Sequence, residues 1–173
     1  MKQVEVAVIG TGWCGGIRAE TLARSALVDK LHICEIRPDR LAEVKALTRP
    51  ASATLDYRDI LKNPDISVVY VCTTPEQNHY PITRDCLKAG KHVMLEKPPG
   101  ATVAEITPLV TAARAAQRTL FATWHSRFAP AVGFDFSKSM AYTPRNSDCR
   151  CGGIEATSSC GTLVRCHCAH TEL

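Results

Sequence analysis

Val4-Glu5-Val6-Ala7-Val8-Ile9 runs into Gly10-Thr11-Gly12-Trp13-Cys14-Gly15, and Ile17-Arg18-Ala19-Glu20-Thr21-Leu22-Ala23 follows. The first stretch is apolar enough for a strand buried in a parallel sheet. The last reads as a helix. Between them the glycines are spaced G-x-G-x-x-G, the dinucleotide-binding turn. Gly10 allows a sharp turn, Gly12 lets the backbone approach a pyrophosphate, and Gly15 lets the helix lie close on the strand. The free N–H groups and dipole at the helix start favour phosphate charge.

Composition narrows the setting. The chain has 173 residues, 45% of them hydrophobic, with a net charge of +4. That length suits about one domain of roughly 150 residues. The charge is too mild to argue for nucleic acid, and no basic run alternates with aromatics. A membrane span takes about 20 apolar residues, and no run reaches that. No signal peptide precedes the first strand, so the expected compartment is the cytoplasm. Of the cysteines, Cys14, Cys34, Cys72 and Cys86 are scattered singly, as small buried residues often are. Cys149, Cys151, Cys160, Cys166 and Cys168 crowd the C-terminal stretch and mark a change of composition.

Strands and helices then alternate. Ile17, Leu22 and Ala26 are expected on the sheet-facing side of the first helix. Leu31-His32-Ile33-Cys34 reads as a second strand ending at Glu35, an acid suited to ribose hydroxyls. Glu35 favours NAD by repelling a 2′-phosphate. Arg37 and Arg40 lie just beyond and could pair with that phosphate, so NADP stays open. A helix is expected from Pro38 to Leu47 and a helical turn at Asp59-Ile60-Leu61. Ile66 to Cys72 reads as a strand, with Thr74 and Gln77 as a capping box. The following helix runs through Ile82, Cys86 and Leu87 to Gly90, and Pro81 suggests that its regular part begins there. His92-Val93-Met94-Leu95 is a strand. Thr102 and Glu105 cap a helix expected to bury Val103, Ile106, Val110 and Ala113, kinked or shortened by Pro108. Thr119 to Thr123 is a further strand. The alternation indicates an α/β fold, a doubly wound parallel sheet of the Rossmann NAD(P)-binding kind. Ligands bind such sheets at the carboxyl ends of the strands, where Gly10, Glu35, Thr74, Glu96 and Trp124 fall. The expected cofactor-binding residues are Gly10, Gly12, Trp13, Cys14, Gly15, Glu35, Ile36, Arg37, Thr73, Thr74, Pro75, His79, Glu96 and Lys97.

Glu96-Lys97-Pro98 follows a strand on that edge. A lysine there can polarise or deprotonate a substrate hydroxyl. The glycine turn, Ala89-Gly90-Lys91-His92-Val93, Glu96-Lys97-Pro98 and Arg127-Phe128 together resemble the Gfo/Idh/MocA oxidoreductase family over about residues 4–132. The resemblance implies that Lys97 lies beside nicotinamide and substrate, with Pro98 a cis or tight-turn proline. Leu95-Glu96-Lys97-Pro98-Pro99-Gly100-Ala101-Thr102 and Leu120-Phe121-Ala122-Thr123-Trp124-His125-Ser126-Arg127 look like the D-galactose/L-arabinose 1-dehydrogenase branch. That branch implies oxidation of an aldose at C1, with Lys97 as catalytic acid/base and His125 as a catalytic, substrate-site residue. The implied partner is a small sugar.

Beyond Val132 the family pattern continues into a second α/β domain, and residues 133–173 do not match it. The expected division is a Rossmann domain over 1–125, the start of a linker over 126–132, and an irregular tail over 133–173. The tail has three readings. Cys149, Cys151, Cys160, Cys166, Cys168, His167 and His170 supply ligands enough for zinc, although their spacing matches no known knuckle. Its composition also suits a disordered tail. The favoured reading is out-of-frame translation, because codons for Asn146 to Gly152 can be chosen so that an adjacent frame reads Ile-Arg-Thr-Val then Val-Glu. No metal site is assigned. Oligomerisation through the second domain is expected to be lost, leaving a truncated dehydrogenase or a nucleotide-binding module without catalysis.

Overall fold

The computed structural model describes residues 3–124, 150–151 and 154–155. Six strands form one parallel sheet: β1 (Val4–Ile9), β2 (Val28–Cys34), β3 (Ser52–Thr54), β4 (Ile66–Val71), β5 (His92–Leu95) and β6 (Leu120–Ala122). Their order is β3-β2-β1-β4-β5-β6. The chain builds outward from β1 to one edge, then restarts at β4 and builds to the other. That reversal opens a crevice between β1 and β4 at the carboxyl edge. The helices are α1 (Trp13–Ala23), α2 (Pro38–Thr48), α3 (Tyr57–Lys62), α4 (His79–Lys88) and α5 (Val103–Ala115). A short antiparallel pair, β7 (Arg150–Cys151) with β8 (Ile154–Glu155), stands in a stretch read from sequence as irregular.

The apolar strands bury both faces, as parallel strands must when helices cover them. Side chains alternate along β1. Val8 packs with Ala19 of α1, Val44 of α2 and Ile33 of β2. Ala7 and Ile9 face the other way, with Ile82 and Leu87 of α4 and Leu109 of α5. Fully burying side chains such as Ile33, Leu87 or Leu109 stabilises by roughly 1.5–3 kcal/mol each.

Several local expectations shift. The first helix starts at Trp13, inside the glycine motif, so its buried face is Gly15, Gly16 and Ala19. Ile17 is 52% exposed, and Ala26 lies past the helix end. Small residues occupy that face because α1 lies directly against the strand ends. Strand β3 has only three residues and was not anticipated. Asp56 caps α3 by accepting a hydrogen bond from the Arg58 amide. Thr74 and Gln77 form no capping box. Instead a 3-10 turn, Glu76–Asn78, leads into α4, which starts at His79 and carries Pro81 in its first turn, where no helical N–H is needed. Thr102 does cap α5, accepting from the Glu105 amide, while the Glu105 carboxylate returns to the Ala101 amide. Pro108 stands inside α5 without ending it. The buried stripe of α5 is Leu109 and Ala113, and Val103 is 60% exposed.

Candidate functional site

Strand register builds the site. Thr54, Cys34, Ile9, Val71, Leu95 and Ala122 stand level across the sheet. The next residues are Glu35 on β2, Gly10 on β1, Cys72 on β4, Glu96 on β5 and Thr123 on β6. The ladder continues through them, with Gly10 N–H donating to the Cys34 carbonyl at 2.8 Å and Glu96 N–H to Val71 at 2.9 Å. The expected strand-end residues therefore share one edge.

The three glycines do different work. Gly10 has φ +83°, and a Cβ there would lie 2.8 Å from the Thr73 Cα. A Cβ on Gly15 would collide with the Gly10 carbonyl oxygen. Gly12 is different: a Cβ there would meet nothing within 4 Å. Its small size is not needed for the fold. It leaves the backbone at the start of α1 open to a ligand, a cradle that suits the pyrophosphate of a dinucleotide.

Glu35 is 8% exposed and its carboxylate is fixed. Oε2 accepts from the Thr11 amide at 2.8 Å and from the Thr11 hydroxyl at 3.2 Å. Oε1 accepts from the Arg37 amide at 3.2 Å. Arg40 lines the cleft that opens at this edge, and part of its guanidinium is engaged within the protein. Its Nε donates to the Thr11 carbonyl at 2.8 Å, and its Nη1 pairs with Glu43 at 2.7 Å. Arg37 remains exposed, in a loose pair with Asp39. A cleft of about 900 Å³ opens along this edge. Of the expected residues it is lined by Gly10, Gly12, Trp13, Glu35, Ile36, Arg37, Thr73 and Thr74. Tyr57 and Arg58 of α3 and Asn78 also line it, and sequence reading missed them. The only sequence signal for α3's place there was Asp56, a capping residue two positions before Arg58.

Cys14, Gly15, Pro75, His79, Glu96 and Lys97 do not line that cleft. Gly15 acts through packing. Glu96 is buried and grips Arg18 of α1, which donates from Nε at 2.9 Å and from Nη2 at 2.5 Å. Burial pushes the Glu96 carboxyl up, but the Thr123 hydroxyl and the Arg18 guanidinium outweigh it and hold it below the usual carboxylate range. Burial, with the Glu96 charge beside it, raises the Cys14 thiol, and burial lifts Cys72 to about 12, so both stay protonated near neutral pH. His79 is buried between the Thr73 and Pro98 carbonyls. Lys97 itself is exposed, with no hydrogen-bond partner among the described residues. The Lys97–Pro98 bond is cis, as the family resemblance implies, and so is Thr74–Pro75. His125 and the histidines and most cysteines of the tail lie outside the described residues.

A model of the oxidoreductase family with an NAD-binding Rossmann fold matches residues 4–123. The chain belongs to the Gfo/Idh/MocA family. Among this family's curated members, it is 30% identical over 125 residues to myo-inositol 2-dehydrogenase of Thermotoga maritima, covering 72% of this chain and 37% of that one. It is 34% identical over 124 residues to an NADP(+) scyllo-inositol 2-dehydrogenase of Bacillus subtilis, covering 72% and 34%. These names carry inositol, where the sequence resemblance pointed to galactose or arabinose. Among solved structures, a probable dehydrogenase from Thermotoga maritima superposes with a TM-score of 0.68 at 30% identity, covering 72% of this chain and 37% of that chain. The WlbA dehydrogenase of Chromobacterium violaceum, in complex with NADH and UDP-GlcNAcA, gives 0.69 at 27%, covering 76% and 38%. The chain thus spans little more than a third of the length of these family members. No helix among the described residues is long and apolar enough to cross a membrane.

Proposed function

We propose that this chain holds NAD(H) along the β1/β4 crevice as the nucleotide-binding part of a dehydrogenase acting on a ring-shaped polyol or sugar. The observation that carries the reading is Glu35, fixed by Thr11 at the end of β2 beside the open backbone of Gly12. Glu35 offers its remaining lone pairs to the adenosine ribose hydroxyls. Gly12 and the start of α1 take the pyrophosphate. Tyr57 and Arg58 border the adenine end. Glu35 disfavours a 2′-phosphate, while Arg37, Arg40 and Arg58 line the cleft as the cations that could receive one. NAD is therefore the preferred cofactor, with NADP as the weaker ligand. Residues 1–125 form this nucleotide-binding domain.

The bound nicotinamide supplies the hydride acceptor. Lys97, exposed just past β5, takes the proton of the substrate hydroxyl. His125 stands one residue beyond Trp124 and is assigned to the substrate side. The inositol names of the relatives favour a cyclitol hydroxyl. The resemblance over residues 89–132 favours C1 of an aldose. A second reading is nucleotide binding without turnover, since the cleft that the described residues form is lined by the nucleotide-side residues and not by Lys97. One experiment separates them. The chain is titrated with NAD and NADP, then assayed with myo-inositol, scyllo-inositol, galactose and arabinose. Binding with turnover of one substrate supports the dehydrogenase. Binding without turnover leaves the module, and absence of binding defeats both.

A further inference from the structure

Glu5, His32 and Ser52 stand on the neighbouring strands β1, β2 and β3, and none of them lines the cleft at the carboxyl edge. Ser52 lies level with His32 across the β2/β3 pair. The His32 ring joins the other two residues. Its Nε2 is 3.0 Å from Glu5 Oε2, and its Nδ1 is 2.8 Å from Ser52 Oγ. Glu5 and His32 are buried, whereas Ser52 is exposed. The Lys30 amine donates to the second Glu5 oxygen at 2.5 Å. That hydrogen bond outweighs burial and, with His32, holds the Glu5 carboxyl below the usual carboxylate range.

The partners fix the hydrogens. An ionised carboxylate only accepts, so Nε2 carries the N–H. Nδ1 of a neutral ring is then bare and accepts from the Ser52 hydroxyl. A neutral ring thus satisfies both contacts. Acid, imidazole and hydroxyl stand in series, with the hydroxyl at the solvent end. A hydroxyl beside a base that is oriented by an acid is the arrangement that activates a serine nucleophile. The backbone supplies a further part. β3 is an edge strand among the described residues. The Glu35 N–H donates to the Thr54 carbonyl at 3.1 Å, so Thr54 and, two residues before it, Ser52 turn their backbone groups toward β2. Ala53, between them, turns its N–H to the open edge. The N–H of the residue after a nucleophile is a recurring oxyanion donor.

We propose that Ser52 is a nucleophilic serine, with His32 as its base and Glu5 orienting the ring, open at the sheet edge to small acyl esters. Ser52 Oγ attacks the ester carbonyl carbon while its proton passes to His32 Nδ1. The bond from that carbon to the alcohol oxygen then breaks, and the leaving alcohol takes the proton from Nδ1. Water attacks the acyl-serine, gives a proton to Nδ1 in its turn, and releases the acid as Ser52 regains its hydrogen. One ester and one water are consumed, and one acid and one alcohol form.

The test uses the full chain without nucleotide, so its outcome is separate from that of cofactor binding. Wild type is incubated with a small alkyl fluorophosphonate, which phosphonylates an activated serine with loss of fluoride, and the labelled peptides are mapped by mass spectrometry. Ser52 should be labelled at least about tenfold faster than any other serine of the chain. Glu5→Gln, which loses the acceptor-only partner that sets the ring tautomer, should slow that labelling at least about tenfold. Ser52→Ala, which removes an exposed hydroxyl, should lose the hydrolysis of p-nitrophenyl acetate that wild type shows. Labelling of Ser52 no faster than of other serines, labelling unchanged in Glu5→Gln, or equal hydrolysis by Ser52→Ala overturns the proposal and leaves a polar tie between three strands. Should Glu5→Gln fail to fold, the wild-type map and Ser52→Ala decide.

Discussion

The two ends of the crevice are built differently. At the end proposed for adenosine Glu35 is itself fixed: it accepts from Thr11 and Arg37, and Arg40 donates to the Thr11 carbonyl. At the Lys97 end only the supports are fixed. Glu96 and Pro98 are anchored, while the amine between them projects free. On the proposed reading Glu35 is therefore preorganised for the adenosine ribose, and its hydrogen bonds there need little further ordering. The Lys97 end has its direction set and one wall formed.

Substitutions can break that contrast. The largest effect is expected from Gly15→Ala, whose Cβ has backbone in its way. Urea denaturation should show a loss of about 3 kcal/mol, with cofactor binding abolished. Next comes Glu96→Gln, which leaves Arg18 without its charge partner. About 2 kcal/mol of stability should disappear, discounted from a fully buried pair because Arg18 keeps some exposure. The same carboxylate gives a pH test. Its folded pKa is depressed, so its contribution is complete above the unfolded value and is lost as pH falls through the folded value. Wild type should lose melting temperature on acidification below about pH 4.5 more steeply than Glu96→Gln does. Glu35→Ala should weaken NAD about tenfold, with NADP affected less, as read by parallel titrations. The smallest effect on the fold is expected from Gly12→Ala, whose stability should stay within about 0.5 kcal/mol of wild type although dinucleotide affinity falls.

Much of this was legible from residue order. The β1 run, the glycine spacing and Glu35 are local signals, and each describes its own few residues. What was missed depends on contacts distant in sequence. Ile17 was expected in the core because the helix was started four residues late, after the glycines that in fact begin it. Strand β3 is too short to show a period, and with it went the approach of Tyr57 and Arg58 to the cleft. Arg40 lines the cleft and also binds carbonyls of the glycine turn, a partner that no spacing rule names. The place of His79, buried against the Thr73 and Pro98 carbonyls and outside the cleft, likewise depends on contacts that residue order does not show. The resemblance over residues 4–132 identified the family, whereas the narrower one over residues 89–132 pointed to an aldose and the names of the relatives carry inositol.

The most direct test of a complete adenosine end is a calorimetric titration of NADH into the wild-type chain and into Gly12→Ala, with melting curves for both. The account predicts one site on wild type, at least about tenfold weaker binding to Gly12→Ala, and matching melts. Absence of binding to a folded wild-type chain, or equal binding to both, would contradict it.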